Sequence, residues 1–96
     1  MAEGARRYAA PMNRVRLALM QIDTVVGDLP GNVDRIRRGL DQVVDCDLAL
    51  FPEMAVTGYP LEDLVHKPGF VADSRAALDE VAALSDRCAL AVGFAD

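Results

Sequence analysis

Ninety-six residues, half of them apolar and a quarter charged, make one soluble piece with a modest core. The net charge of −5, with Lys67 as the only lysine, excludes a nucleic-acid platform, which needs clustered Lys and Arg. No apolar run approaches the roughly 20 residues that span a bilayer. The stretch after Arg6 and Arg7 is broken by Pro11 and Asn13 before a secretion-signal core can form, so neither membrane nor export is expected and the location read is cytoplasmic.

Residues 1–13 mix Gly, Ala, Arg and Pro without a period and read as a flexible leader, leaving residues 14–96 as the folded part. From Arg14 onward, Val15, Leu17 and Leu19 fall on one face and Ala18, Met20 and Ile22 on the other, the pattern of a strand buried on both faces near its end. Gly27-Asp28-Leu29-Pro30-Gly31 is dense in turn residues. Asn32 then stands where a helix N-cap is expected, with Asp34 in the first turn. Val33, Ile36, Leu40 and Val43 or Val44 recur at helical spacing and predict an amphipathic helix over residues 33 to about 44. Gly39 inside it costs about 1 kcal/mol relative to alanine. Arg35, Arg37 and Arg38 read as a solvated helix face rather than a binding patch.

Leu48-Ala49-Leu50-Phe51 is wholly apolar and meets Pro52, which has no N–H for a ladder and so ends the second strand. A loop from Glu53 to about Val71 follows, with the turn signal Thr57-Gly58-Tyr59-Pro60. Within it, Glu62 and Asp63 read as a solvated pair or as the cap of a short helical turn toward Val65. A second helix is expected from Asp73 or Ser74 as cap to about Asp86, burying Leu78, Val81 and Leu84 with Ala77 and Ala82 beside them. Residues 88–94, CALAVGF, complete the pattern as a third buried strand. Strand, helix, strand, loop, helix, strand is the order of an α/β fold.

Cys46 and Cys88 have neither metal-ligand spacing nor the density of a disulfide scaffold. They read as packed, reduced thiols, with pairing as the alternative. Glu53 stands just beyond the carboxyl end of the second strand, where ligands collect in open α/β sheets. A carboxylate among Leu50, Phe51, Met54 and Val56 would be desolvated, the setting of a general base. The ordinary alternative is a solvated loop glutamate.

The run LALFPEMAVTGYPLEDL, residues 48–64, resembles the segment around the catalytic glutamate of the nitrilase superfamily, the carbon-nitrogen hydrolases. GYPLEDL at residues 58–64 is similar, more narrowly, to the glutaminase domain of glutamine-dependent NAD synthetases. Upstream, LALMQIDTVVGDLPGN at residues 17–32 resembles that family's first strand and the Gln, Gly-Asp and Asn that follow it. The second helix and CALAVGF resemble its next helix and strand, so the likeness covers about residues 14–94. One departure is the connection over residues 40–47, which is slightly clipped between helix and strand.

The resemblance implies the beginning of an α-β-β-α sandwich, incomplete, with residues 14–96 as the N-terminal portion of a glutaminase domain. It implies a Glu, Lys, Cys triad that hydrolyses glutamine to glutamate and ammonia, with Glu53 as general base. The family's Lys and Cys follow later strands, and Lys67, Cys46 and Cys88 match neither position. His66 and Lys67 read as exposed loop residues. Tyr59 is expected either to border the substrate cleft or to pack its ring in the turn. No metal ligand and no cofactor are expected in this segment. ATP, Mg2+ and deamido-NAD are implied for the synthetase domain of the parent enzyme, and homo-oligomeric packing for the intact protein. The isolated chain is expected to be catalytically silent, with an open sheet edge. A fragment of a free-standing amidase and a non-catalytic assembly module are the rival readings.

Overall fold

The computed structural model describes residues 14–43, 45–86 and 88–96. The leader expected over residues 1–13 lies outside the described residues. Three short strands, β1 (Leu17–Leu19), β2 (Leu48–Leu50) and β3 (Ala89–Ala91), form one sheet in the order β1-β2-β3. Both pairings are parallel, with Ala18, Ala49 and Leu90 in one register row. The ladder runs past the strands at both ends: the Met20 N–H donates to Leu50 C=O at 2.8 Å, the Phe51 N–H to Ala91 C=O at 3.0 Å, and the Ala89 N–H to Asp47 C=O at 3.1 Å.

Helix α1 (Leu29–Asp41) joins β1 to β2, and α2 (Phe70–Ala82) joins β2 to β3 after a 3-10 helix at Glu62–His66. Crossovers of one hand in a 1-2-3 sheet place both helices on the same side, and α1 does pack against α2. The core therefore lies on one face of the sheet. Ala49 on the central strand, Val33, Ile36 and Leu40 on α1, and Ala77 and Val81 on α2 are all buried there, with Ala55 and Val56 from the turn after β2. A second cluster of Leu61, Phe70 and Ala95 closes the end near the 3-10 helix. No helix among the described residues is long and apolar enough to cross a membrane.

The opposite face corrects the reading of β1 as buried on both sides. Leu17 and Leu19 are 52% and 75% exposed, and Val15 is 66% exposed, because both helices have gone to the other face. The described residues thus hold one helical layer and one sheet layer, with an apolar sheet face turned outward.

Both helix starts also differ from expectation. Asp28, not Asn32, caps α1: its carboxylate accepts from the Gly31 N–H at 3.1 Å, and Pro30 sits in the first turn, where its missing N–H costs nothing. Asp34 falls beyond the first turn and instead pairs with Arg37 at 3.0 Å and Arg38 at 2.9 Å, on the solvated face expected for those arginines. Helix α2 begins at Phe70 after Gly69, whose φ of +83° supplies the left-handed backbone that breaks the chain direction there. It ends at Ala82 rather than near Asp86, in a turn where the Ser85 hydroxyl donates to Ala82 C=O at 2.7 Å. Ser74 lies inside the helix, buried, and its Oγ accepts from the Ala95 N–H at 3.3 Å. Leu78 and Leu84 are half-buried and Ala82 is exposed, so the buried stripe runs through Phe70, Ser74, Ala77 and Val81.

Candidate functional site

Parallel strands bring three carboxyl ends to one edge of the sheet, and β2 is the middle one. Beyond Phe51 and Pro52 the chain turns over residues 53–57. Ala55, Val56 and Thr57 are fully buried, whereas Glu53 before them is exposed and Tyr59 after them is 68% exposed. The middle of the motif is thus an anchor, and its two ends are presented outward.

Both neighbouring strand ends hold the anchor. On the β3 side, the Val56 N–H donates to Gly93 C=O at 3.2 Å. A side chain on Gly93 would put its Cβ 2.6 Å from the Met54 nitrogen, so only glycine lets the two backbones meet. On the β1 side, the Gly27 N–H donates to Thr57 C=O at 2.8 Å. A Cβ on Gly58 would lie 2.6 Å from the Val26 Cα, and Gly58 also has a φ of +82°. The turn closes on itself through the Gly58 N–H, which donates to Met54 C=O at 2.7 Å, with Met54 held at a φ of +59°. A non-glycine residue at positive φ stores of order 1 kcal/mol of strain that surrounding contacts must offset.

Asn32 is the clamp. Its side chain is fully buried. Its Oδ1 accepts from the Val25 N–H at 2.9 Å, while its Nδ2 donates to Val25 C=O at 2.8 Å and to Val56 C=O at 3.0 Å. One amide therefore ties α1, the segment after β1 and the turn after β2. Arg35 closes the outer side, with its Nη1 3.3 Å from both Asn32 Oδ1 and Asp28 Oδ2.

Glu53 is not desolvated by its apolar neighbours in these residues, because Ala55 and Val56 turn inward while the glutamate stands outside the packed turn. Among the described residues no side chain makes a hydrogen bond or ion pair with it. The ring of Tyr59 is not packed into the turn; it follows buried Gly58 and precedes Pro60 across a cis peptide bond. The 3-10 helix realises the helical turn read at Glu62 and Asp63 and carries His66 at its end, with Lys67 following, all four exposed. Cys46 and Cys88 lie at the opposite, amino ends of β2 and β3. A depression of about 630 Å³ flanks β1 and α1, lined by Met20, Ile22, Arg38 and Gly39 among others, and does not include Glu53.

Sequence reasoning missed Asn32 and Gly93 as parts of the site. A signal for Asn32 existed: with Ile36 and Leu40 it continues the buried stripe at four-residue steps, where a polar residue needs a partner.

No family model matches the chain. Proteins named glutamine-dependent NAD(+) synthetase do. That of Xanthomonas campestris pv. campestris is 38% identical over 89 residues, covering 90% of this chain and 16% of that protein. Those of Xylella fastidiosa Temecula1 and Rhodobacter capsulatus are each 37% identical, over 83 and 84 residues. The chain resembles glutamine-dependent NAD(+) synthetases. It spans about 15% of the length of these synthetases.

Proposed function

We propose that this chain forms the part of a glutamine-hydrolysing NAD(+) synthetase that carries the general base of its glutaminase site. The observation behind this reading is Glu53, presented outward at the carboxyl end of a central parallel strand by a turn anchored on both neighbours, in a segment similar to such synthetases.

In this reading Glu53 takes the proton of a cysteine thiol supplied from outside these residues. The thiolate attacks the glutamine amide carbonyl, and a lysine from the rest of the enzyme stabilises the oxyanion. Glu53 then hands the proton to the departing ammonia and activates the water that releases glutamate. Tyr59, exposed beside the same turn, contacts the substrate. The rigid anchor matters because a base misplaced by about 1 Å loses on the order of a hundredfold in rate. Lys67, His66, Cys46 and Cys88 have no part in this chemistry.

In the same reading, ATP, Mg2+ and deamido-NAD belong to the synthetase portion of the parent enzyme, as the resemblance implies. The 96 residues alone are catalytically silent in this reading, and the bare sheet face of Leu17 and Leu19 is covered in the intact, cytoplasmic, homo-oligomeric enzyme.

The test is a chimera in which this chain replaces the matching segment of the Xanthomonas campestris synthetase. The chimera is expected to release ammonia from glutamine, and Glu53→Gln to abolish that release. Undiminished glutamine hydrolysis by Glu53→Gln would overturn the assignment. Ammonia release without glutamine-driven NAD formation would point to an amidase segment instead.

A further inference from the structure

Strict strand alternation would keep Cys46 and Cys88 apart. In the β2-β3 register Leu48 lies beside Ala89, which places Asp47 beside Cys88 and turns Cys46 to the other face. The chain bends at Asp45 and Asp47 instead. Both cysteines end up packed against the same side of the core, half-buried and free, with their Sγ atoms 3.1 Å apart. The Ala89 N–H to Asp47 C=O bond at 3.1 Å fixes the two segments beside them. Two thiols held sulfur to sulfur, with exposed Asp45 and Asp47 beside them, are within reach of a small-molecule oxidant.

We propose that Cys46 and Cys88 are a dithiol modification site that forms a reversible intramolecular disulfide with a low-molecular-weight disulfide, such as oxidised glutathione, as the oxidant. One cysteine thiolate attacks the glutathione disulfide, forming a mixed disulfide and expelling a glutathione thiolate. The second cysteine thiolate attacks the protein sulfur of that mixed disulfide, closing the Cys46–Cys88 bond and expelling the second glutathione thiolate. The two protons released by the cysteines are taken up by the two glutathiones. The two cysteine sulfurs are oxidised by two electrons in all, and the glutathione disulfide is reduced by two.

The bond ties the amino ends of β2 and β3, residues 42 apart in sequence, and encloses the Glu53 turn and α2 between them. The bond's effect on stability comes from restricting the unfolded chain. Its rate depends on pH. The Cys46 thiol is held above the ordinary thiol range, first by its hydrogen bond to Cys88, then by burial and by the Cys88, Asp47 and Asp45 charges. The thiolate is the nucleophile, so closure accelerates as pH rises.

The site is independent of the proposed glutaminase role and is tested on the 96-residue chain itself. The chain is equilibrated in glutathione redox buffers, quenched with acid, and mapped by mass spectrometry, in native buffer and in concentrated urea. The expected product is a monomer lacking two hydrogens with a Cys46–Cys88 cross-linked peptide. Its oxidation equilibrium constant is expected to be at least about tenfold larger in native buffer than in urea, with a higher urea midpoint than the reduced chain. Cys46→Ala and Cys88→Ala should each yield only the mixed glutathione disulfide. Persistent glutathione adducts on the unsubstituted chain, cross-links between chains, or equal equilibrium constants in buffer and urea would each overturn the proposal.

Discussion

Asn32 carries more of the site's geometry than any other single side chain. Its fully buried amide satisfies the buried carbonyl of Val56 and, at a part-buried edge where water can replace it, both backbone groups of Val25. Removing one partner of a buried hydrogen bond leaves the other desolvated and unmatched, a penalty of about 1–3 kcal/mol for each such group. Asn32→Ala is therefore expected to lower the unfolding free energy of the chain by about 2–3 kcal/mol, measured by urea titration. Asn32→Asp should be no better, because it keeps the shape but aims a second acceptor at two carbonyls. Ile36→Ala, at a core site with no exposure, provides the apolar comparison and should cost about 2–4 kcal/mol. Tyr59, being mostly exposed, behaves differently: in the chimera Tyr59→Ala is expected to raise KM for glutamine several-fold while leaving ammonia-driven synthesis unchanged.

Glycines set the limits of the connecting elements, and they are not equivalent. Gly58 and Gly69 share a left-handed φ, but a side chain at Gly58 meets the Val25 and Val26 backbone below 3 Å, whereas one at Gly69 meets nothing within 4 Å. Gly69→Ala should thus cost only the conformational penalty of about 1 kcal/mol, and Gly58→Ala clearly more, a ranking that thermal unfolding reads directly. At Gly39 the nearest neighbour is the flexible Met20 Cε at 3.1 Å. Gly39→Ala is expected to stabilise the chain by up to about 0.5 kcal/mol, as helix propensity outweighs a small methionine shift. The strands were legible along the chain because Leu48-Ala49-Leu50 and its partners are short apolar runs bounded by turn residues and Pro52; their order in the sheet and their parallel pairing were not. The helix starts were not. Asn32 and Ser74 look like caps, yet both are buried inside helices by partners 24 and 21 residues away, Val56 and Ala95. Pattern reading along the chain has no access to such partners. The presence of Glu53 at a strand end was readable from Pro52; its exposure was not, since it depends on how Ala55 and Val56 turn inward.

At the scale of the molecule, the fold is one-sided. Two crossovers on one face bury Ala49 and leave Leu17 and Leu19 facing outward. Replacing both leucines by lysine is expected to change the chain's stability by no more than about 0.5 kcal/mol while reducing self-association, as measured by light scattering; the same change at a core position would unfold it. In the chimera the double substitution should instead impair assembly if, as proposed, that face is covered in the intact enzyme. The proposed function rests on the clamped turn after β2, and it is tested most directly by the ratio of glutamine-driven to ammonia-driven NAD formation in the Xanthomonas campestris chimera. Glu53→Gln is predicted to lower that ratio by at least about a hundredfold, the lower end of what general acid-base catalysis contributes, with ammonia-driven synthesis preserved. A ratio unchanged from the unsubstituted chimera would contradict the assignment of Glu53 as the glutaminase base.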